Sequence, residues 1–418
     1  MDIELIVKKY GDHLCTPCFI YDHNFLVANG KALKKALPVR ANLVYSVKAN
    51  PNPSIIYALQ KIGALFEVAS EGELLHLLNI GIAAEKIIFS GQGKTVSGIT
   101  KAIKNEVLVI NIESMREWKD VSEISKSLNK KVRVLLRVNP MFNNRDAALK
   151  MGGVASPYGV DEETIDLFFA EGSELCLIEG IFVYAGSNYH NYIDIIENTK
   201  YIFELAEKIY KKFNVKLKYL DFGGGFGVPE FISDPELDLG NLEKGLKKLF
   251  EEKLSLPCFS NIRKLFFESG RYLTATSGVL VMRVVDVKMS RGKQYVILDG
   301  GINCMGIKQF EYRRTEPELH LITQKCVDYG NVKEVCIVGT TCTPIDLIHQ
   351  GINLPKVSIG DFIYFNDCGA YSLEFSPQNF CGQVSPIEYM FKNNMLYVTK
   401  EQGNIECPYG ELFTNLEL

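Results

Sequence analysis

Eight short apolar segments recur along the chain, most of them separated by stretches with helical spacing. The segments are rich in β-branched and aromatic residues and lie at 41–47, 64–69, 86–90, 107–112, 132–138, 178–184, 218–222 and 264–269. Intervening stretches such as 54–62 and 196–213 repeat apolar residues every three or four positions, as amphipathic helices do. Continuous apolar strands joined by crossover helices predict an α/β fold, a TIM-like (β/α)8 barrel, with its active site at the C-terminal ends of the strands.

The pattern changes after about residue 274, where longer strand-like runs follow one another without regular helices. These runs lie at 278–289, 293–301, 334–340, 361–371 and 386–391. They predict a second, all-β domain of sandwich or barrel-like type. The N-terminal run CFIYD (18–22) could pair into it. We therefore expect a barrel over 26–274 and a discontinuous β domain made of 1–25 and 275–418.

Composition and charge narrow the class of protein. The chain has 418 residues with 47% hydrophobic and 23% charged residues, as in ordinary globular proteins. Its 46 Lys and Arg against 50 Asp and Glu give a net charge of -4, so nucleic acid is not an expected partner. No run approaches the roughly 18 apolar residues of a membrane span, and the N-terminus has no signal-peptide core. We expect a cytoplasmic protein that does not bind membranes.

The cysteines do not predict a disulfide framework or a metal site. There are eleven of them, an odd number scattered along the chain, which is typical of reduced proteins. Cys15 and Cys18 have the spacing of a zinc or redox pair, but no second Cys or His pair follows at matching spacing. An apolar, strand-like run follows Cys18 directly, so we predict that no metal binds there.

Lys48 directly follows the first predicted strand, at the mouth of the barrel where such enzymes keep their chemistry. A lysine partly removed from water can present the neutral amine that forms a Schiff base with an aldehyde. Taken alone, a lysine at a rim is more often simply solvated.

The last two predicted strands end in residues suited to an anion and a ring nitrogen. The seventh leads into the glycine-rich run 221–227, whose backbone N–H groups could approach a phosphate closely. The eighth ends in Glu268-Ser-Gly-Arg271. Arg271 can bind phosphate oxygens in a bidentate manner, and Glu268 can accept a proton from a ring nitrogen, although such a pair alone could be a local ion pair. Together with Lys48, these residues predict pyridoxal phosphate, which carries an aldehyde, a ring nitrogen and a phosphate.

With these motifs the sequence resembles the barrel-type pyridoxal-phosphate decarboxylases of ornithine, arginine and diaminopimelate over nearly the whole chain. The matching motifs are Tyr45 to Asn50, Gly223 to Gly227, Glu268 to Arg271, Gly339 to Cys342 and Gly369 to Tyr371. Each motif is short, but five in the family's order are specific.

The resemblance implies roles for individual residues. Lys48 would bind the cofactor aldehyde covalently, Glu268 would keep the ring nitrogen protonated, and Cys342 would protonate the carbanion left by the departing carboxylate. The implied cofactor contacts are Lys48, Glu67, Arg137, Tyr184, Ser187, Gly224, Gly225, Gly227, Glu268, Gly270, Arg271 and Tyr371. The implied substrate contacts are Cys342, Thr343, Asp346 and Tyr371. For Glu67 and Arg137, a salt bridge inside the barrel is an equal alternative.

The sequence departs from the family pattern at two positions. The family usually has a His that stacks on the pyridine ring where this chain has Tyr184. A tyrosine can also stack, but it cannot become cationic. After the catalytic cysteine, the amine-selective members carry Asp or Glu, and this chain has Thr343. Because a hydroxyl is a poor counter-ion for a buried ammonium, ornithine, lysine and diaminopimelate lose a partner.

Several motifs resemble one branch of the family, which includes a decarboxylase of a glutamyl group tethered to an acyl carrier protein. They are Tyr184-Ala-Gly-Ser187, Cys342-Thr-Pro-Ile-Asp346, Lys150-Met-Gly-Gly-Val154, Gly225-Phe-Gly-Val-Pro229 and Phe375-Ser-Pro377. The sequence therefore favours an amino-acid decarboxylase of specialised metabolism whose substrate lacks a free distal amine, with a carrier-tethered aminoacyl group as one form. A diaminopimelate decarboxylase using Asp346, an ornithine or lysine decarboxylase, and an inactive regulatory relative stay open as alternatives.

The resemblance also implies an assembly. In the family, the loop that carries the catalytic cysteine enters the active site of the partner subunit. We therefore expect a two-fold homodimer with shared active sites.

Overall fold

The computed structural model describes residues 1–11, 13–141, 149–150, 153–169, 175–229, 234–306, 319–323 and 333–403. The chain divides into two compact units. One is Val27–Leu273, and the other combines Met1–Leu26 with Thr274–Leu418.

The chain begins with helix α1 (Ile3–Tyr10), strand β1 (Cys18–Asp22) and helix α2 (His23–Ala36). Helix α1 begins after Asp2, whose side chain accepts a hydrogen bond from the backbone N–H of Leu5, the usual role of an N-cap aspartate.

The first unit is an eight-stranded parallel barrel. Its strands and short extensions are β2 (Ala41–Ser46), β3 (Leu65–Val68), β4 (Ile87–Phe89), β5 (Val109–Ile112), β6 (Val132–Asn139), β7 (Leu149–Lys150), β8 (Val160–Asp161), β9 (Cys176–Phe182), β10 (Gly186–Ser187), β11 (Tyr219–Asp221) and β12 (Lys264–Ser269). The hydrogen-bonded order is β5-β4-β3-β2-β12-β11-β9-β6, and β6 pairs back to β5, which closes the barrel. All eight strands coincide with the apolar segments of the sequence, so the predicted (β/α)8 barrel is confirmed.

Helices connect the barrel strands, and the last helix of the barrel follows β12. They are α3 (Pro53–Lys61), α4 (Glu71–Asn79), α5 (Val96–Lys104), α6 (Met115–Leu128), α7 (Asp166–Phe169), α8 (Tyr192–Phe213), α9 (Leu239–Leu254) and α10 (Arg271–Thr274). Three of them begin directly after Ser70, Thr95 or Ser114, whose hydroxyl accepts a hydrogen bond from the backbone N–H three residues later. Single 3-10 turns occur at Val47–Ala49, Ala84–Lys86, Glu162–Thr164, Pro257–Phe259, Ala275–Ser277, Leu373–Phe375 and Phe380–Gly382.

The barrel interior is filled with apolar side chains, one from each of the eight strands. These are Val44, Leu65, Ile88, Val109, Leu135, Phe182, Tyr219 and Phe266. The barrel is therefore a packed core rather than a pore, and polar chemistry is left to the strand ends.

The second unit is built on a mixed sheet. Its remaining elements are β13 (Gly278–Ser290), β14 (Lys293–Leu298), α11 (Ile302–Met305), β15 (Leu319–Ile322), β16 (Lys333–Val338), β17 (Leu347–Leu354), β18 (Phe362–Phe365), β19 (Ile387–Lys392) and β20 (Met395–Lys400). The sheet runs β17-β16-β14-β13-β1-β19-β20, and β18 pairs with β13 and β15. Strand β1 is antiparallel to β13 and parallel to β19, so the N-terminal run CFIYD lies in this sheet.

Three predicted strands were too long. The runs 293–301 and 334–340 extend past β14, which ends at Leu298, and β16, which ends at Val338. The run 361–371 was read as strand throughout, but β18 ends at Phe365. Asp367 and Tyr371 have φ of 55° and 56°, a left-handed backbone that cannot continue a strand. Because alternating apolar residues do not reveal such a turn, the sequence pattern overran it.

Candidate active site

Lys48 lies at the carboxyl end of β2, in the 3-10 turn that follows the strand. Its Nζ is 3.2 Å from Oε2 of Glu67, at the end of β3, the neighbouring strand. The Glu67 side chain is 2% exposed and that of Lys48 is 46% exposed. The expected removal of Lys48 from water is therefore not seen, and its amine forms an ion pair at the barrel rim.

The turn that presents Lys48 is braced by its neighbours. The hydroxyl of Tyr45 donates to the carbonyl oxygen of Asn50 at 2.8 Å, and the Asn50 side chain accepts from the backbone N–H of Asn52 at 3.0 Å. These two hydrogen bonds hold the turn that contains Lys48. The side chains of Tyr45 and Asn50 therefore have a structural role in this motif.

Arg137, at the end of β6, has a partner that the sequence analysis did not identify. Its Nη1 is 2.9 Å from both carboxylate oxygens of Glu113. The guanidinium lies 5.2 Å from the ring centroids of both Tyr158 and Phe182, where cation–π attraction favours it. Glu67 and Arg137 each form an ion pair in the barrel, Glu67 with Lys48 and Arg137 with Glu113.

A buried network of charges holds Glu113 in place. Glu117 on α6 accepts hydrogen bonds from the backbone N–H of Glu113 at 2.9 Å and from the backbone N–H of Lys94 at 3.0 Å. Its Oε2 also lies 3.2 Å from Nζ of Lys94, and both side chains are almost fully buried. Burial lowers the pKa of Lys94, while the charge of Glu117 opposes that shift.

The glycine-rich loop after β11 is joined to the segment that follows β9. The backbone N–H of Tyr189 donates to the Gly225 carbonyl at 2.7 Å, and the N–H of Gly227 donates to the Tyr189 carbonyl at 3.0 Å. The side chain of Asn188 accepts from the N–H of Val228 at 2.9 Å. Ser187 precedes Asn188 directly, so its position next to the loop follows from this pairing.

Glycine is required in this loop because side chains have no room. A Cβ at Gly224 would lie 2.6 Å from the carbonyl oxygen of Glu268, and one at Gly225 would lie 2.6 Å from the Tyr189 ring. Gly225 also has a φ of +98°, which L side chains rarely adopt. The Tyr184 ring lies against the same loop, 3.0 Å from the position of a Cβ at Gly223.

Asp221 and Glu268 form a buried carboxyl pair at the ends of the neighbouring strands β11 and β12. Burial raises the pKa of Asp221 to about 8, and the charge of Glu67 adds to this rise. Burial and repulsion from Asp221 raise the pKa of Glu268 well above its ordinary value. We infer that the pair holds a proton near neutral pH, as close carboxyl groups do.

The backbone links the carboxyl pair to the glycine loop. Oδ1 of Asp221 accepts from the N–H of Gly223 at 2.9 Å, and the Gly223 carbonyl accepts from the N–H of Glu268 at 2.8 Å. Arg271 follows Glu268 by three residues, directly after Gly270, as the first residue of α10. The motifs of the sequence did not predict a role for Asp221. Its position at the end of an apolar strand could have indicated that Asp221 lies in the site.

The remaining predicted residues lie in the second unit. Cys342 is exposed and Thr343 is half-buried, in the loop between β16 and β17. Asp346 is 3% exposed, and it accepts hydrogen bonds from the N–H groups of Ile302 and Thr341 at 2.8 Å each. Tyr371 is half-buried with left-handed backbone.

The barrel residues fit pyridoxal phosphate. Lys48 supplies an amine, and the Gly223–Gly227 loop is a cradle that a Cβ would fill. Oε1 of Glu268 is buried, and no N–H or O–H group of the described residues donates to it in the structure. A protonated ring nitrogen is the donor that such an oxygen requires.

Comparisons with known proteins agree with this site. The family model described as "Pyridoxal-dependent decarboxylase, pyridoxal binding domain" matches residues 25–275. The chain is 32% identical over 410 residues to the L-glutamyl-[BtrI acyl-carrier protein] decarboxylase of Niallia circulans, covering 97% of this chain and 94% of that one. It is 29% identical over 406 residues to the diaminopimelate decarboxylase of Aquifex aeolicus, covering 96% and 92%.

A solved structure shares the whole architecture. The diaminopimelate decarboxylase of Helicobacter pylori, crystallised with L-lysine, superposes with a TM-score of 0.84 at 25% identity, covering 96% of this chain and 97% of that one.

The fold and the site define an enzyme that binds pyridoxal phosphate in a (β/α)8 barrel. The chain belongs to the family of pyridoxal-phosphate-dependent amino-acid decarboxylases, as the resemblance of its motifs predicted. Among the described residues, no helix is long and apolar enough to cross a membrane.

Proposed function

We propose that the protein decarboxylates an amino acid that has no free distal amine, and that a glutamyl group tethered to a carrier protein is the favoured substrate. The observation that carries the proposal is Thr343, which follows Cys342 where amine-selective relatives have an acid. The next acid in this loop, Asp346, is buried and accepts hydrogen bonds within its own unit. The loop therefore offers no exposed carboxylate to a substrate ammonium.

The similarity to the Niallia circulans enzyme supports a glutamyl substrate. That relative is named for a glutamyl group on an acyl carrier protein. A glutamyl thioester has no distal charge, so a hydroxyl such as that of Thr343 suits it better than a carboxylate would. Diaminopimelate is the second candidate, because other relatives are named diaminopimelate decarboxylases.

The cofactor would be held by residues from the strand ends. Lys48 would hold the aldehyde carbon, and the phosphate would be held by the backbone of Gly224, Gly225 and Gly227 together with Ser187, Gly270, Arg271 and Tyr371. Tyr184 would stack on the ring, and the carboxyl pair of Asp221 and Glu268 would face the ring nitrogen. Arg137 and Glu67 would line the cofactor site at the barrel mouth, where each is paired with a residue of opposite charge. When bound, pyridoxal phosphate supplies the electron-accepting ring that permits loss of the carboxylate.

Cys342 completes the reaction by proton transfer. Loss of carbon dioxide breaks the bond between Cα and the carboxylate, and a proton must replace the carboxylate at Cα. The Sγ of Cys342 then donates its proton to Cα and becomes a thiolate, which solvent reprotonates. The exposure of Cys342 on its own chain suits a group that must reach a substrate.

We further propose that the enzyme acts in the cytoplasm as a two-fold homodimer. In this arrangement the loop that carries Cys342 and Thr343 completes the barrel site of the partner subunit. The support is the resemblance to the family, whose members share their sites in this way.

The specificity proposal is tested by giving the loop a carboxylate. We expect Thr343→Glu to lower kcat/KM for a glutamyl pantetheine thioester and to raise it for diaminopimelate, by about tenfold or more each, because the carboxylate is a counter-ion for the distal ammonium of diaminopimelate but stays unpaired beside the uncharged thioester. Thr343→Gln, which has the same size without the charge, is the matched control and should not favour diaminopimelate. Equal effects of both variants would contradict the proposal.

A further inference from the structure

Asp346 is buried, and its carboxylate is hydrogen-bonded within its own unit. Its carboxylate is 3% exposed. Oδ1 accepts from the backbone N–H of Ile302 at 2.8 Å, and Oδ2 accepts from the backbone N–H of Thr341 at 2.8 Å and from the Thr341 hydroxyl. Both carboxylate oxygens are thus engaged by donors within the same unit.

The backbone of the loop closes around the same residue. The N–H of Gly339 donates to the Asp346 carbonyl at 3.1 Å, and the N–H of Asp346 donates to the Thr343 carbonyl at 3.0 Å. The N–H of Thr343 donates in turn to the Thr341 carbonyl at 2.8 Å. Cys342 lies between Thr341 and Thr343, so Asp346 holds the residues on both sides of the thiol.

Two glycines make room for the carboxylate. A Cβ at Gly301 or at Gly339 would overlap the oxygens of Asp346. Gly301 lies just before α11 and Gly339 just after β16, so the carboxylate sits where two separate segments approach. This explains the glycine of the Gly339 to Cys342 motif by close packing rather than by backbone conformation.

We propose that Asp346 is a positioning residue that fixes the loop carrying Cys342, and not an acid that binds the substrate. The proposal rests on the function assigned above to Cys342 as the proton donor. A carboxylate that accepts three hydrogen bonds stabilises one arrangement of the loop. The thiol is then held in one place for proton transfer, which is sensitive to displacements of about 1 Å.

The test compares two isosteric substitutions of buried aspartates in the same unit. In Asp346→Asn, one end of the side chain becomes an NH2 group that faces a donor and cannot accept. The control is Asp361→Asn. Asp361 is also 3% exposed and accepts from the backbone N–H of Ser358 at 2.7 Å, in a turn that does not carry Cys342. Both variants are made in the holoenzyme and checked by thermal unfolding.

Two readouts follow the thiol itself. The rate at which iodoacetamide labels Cys342 is measured across pH by peptide mass spectrometry, and kcat and KM are measured by carbon dioxide release. We expect Asp346→Asn to change the labelling rate several-fold and to lower kcat by about tenfold to a hundredfold with a smaller change in KM, as misplacement of a reacting group does. Asp361→Asn should leave both readouts near those of the wild type.

A second pair of variants decides the matter if Asp346→Asn does not fold. Thr341→Val removes one donor to the carboxylate and keeps the shape, so it should change labelling and kcat in the same direction, and Thr341→Ser should restore both. Wild-type labelling and kcat in Asp346→Asn, or in Thr341→Val, would overturn the proposal. Full activity of Cys342→Ala would instead overturn the role given to the thiol. The labelling rate of Cys342 in Asp346→Asn would still report on the position of the loop.

Discussion

At the scale of single residues, the buried carboxyl pair of Asp221 and Glu268 sets the charge at the centre of the site. Two ionised carboxylates at these positions would repel each other in a medium that screens charge poorly. A retained proton relieves this repulsion. A carboxyl pair that keeps a proton suits a single cationic partner. The protonated nitrogen of the pyridine ring would be that partner.

This pair should make the stability of the cofactor-free protein depend on pH. Because the pKa of Asp221 is raised to about 8 in the folded state, folding takes up a proton. Its stabilising effect is complete below the unfolded pKa of about 4 and is lost as the pH rises through about 8, with a slope of up to about 1.4 kcal/mol per pH unit. We expect Asp221→Asn to reduce this slope in urea unfolding measured between about pH 5 and pH 8, while Glu268, whose pKa is also raised by burial, keeps its own contribution.

Asn at position 221 keeps the acceptor for the Gly223 N–H, so the loop bond survives and the comparison isolates the proton. An unchanged slope in the variant would show that Asp221 is ionised in the folded protein, contrary to the shared proton.

Some residues of the site could be predicted from the sequence and others could not. Lys48, the Gly223–Gly227 loop, Glu268 and Arg271 stand at strand ends in short motifs, and their placement could be predicted. The partner of Arg137 could not, because several charged residues lie at the same rim and the apolar pattern does not say that Glu113, after the neighbouring strand β5, pairs with Arg137 while Glu67 pairs with Lys48.

At the scale of elements, the loop after β11 depends on the segment after β9. Their pairing through Asn188, Tyr189, Gly225 and Gly227 forms one rigid cradle from two loops. The apolar pattern predicted both strands but not this pairing. Asn188 is the residue of the sequence that could have indicated this pairing. Its φ of 60° is one that asparagine tolerates.

The cradle should bind the cofactor phosphate only while this pairing holds. We expect Gly225→Ala to weaken pyridoxal phosphate binding by about tenfold or more, because the added methyl group meets the Tyr189 ring and the backbone φ is unfavourable. Gly240→Ala is the matched control, since a Cβ there meets nothing closer than 3.4 Å on helix α9. Equilibrium dialysis of the cofactor measures both, and equal affinities would contradict the account.

In the second unit, the sequence analysis identified the presence of a β domain but not all of its strands. Strands β15, β17 and β20 were not predicted. Strands β17 and β20 lie at the two ends of the strand order, and β17 interrupts its apolar residues with His349, Gln350 and Asn353. Edge strands carry a weaker apolar pattern because one of their sides lies in water. The barrel strands are buried on both faces, and for that reason they could be read directly from the sequence.

At the scale of the whole molecule, the proposed shared sites predict rescue between two inactive variants. Lys48→Ala and Cys342→Ala chains, mixed and allowed to exchange, should regain about one quarter of wild-type activity. Free random exchange makes half of the dimers mixed, and each mixed dimer has one intact site of two. Recovery is measured by carbon dioxide release, and exchange is verified by native mass spectrometry. Confirmed exchange without recovery would exclude shared sites.

The central claim is that this decarboxylase acts on a substrate without a distal amine. The most direct test is the ratio of kcat/KM for a glutamyl pantetheine thioester to that for diaminopimelate, measured by carbon dioxide release with the wild-type holoenzyme. Lys48→Ala, which lacks the amine that binds the cofactor, gives the background for both substrates. We predict a preference of about a hundredfold or more for the thioester, because a buried ammonium without a counter-ion costs about 3 kcal/mol or more. Equal or better turnover of diaminopimelate would contradict the claim.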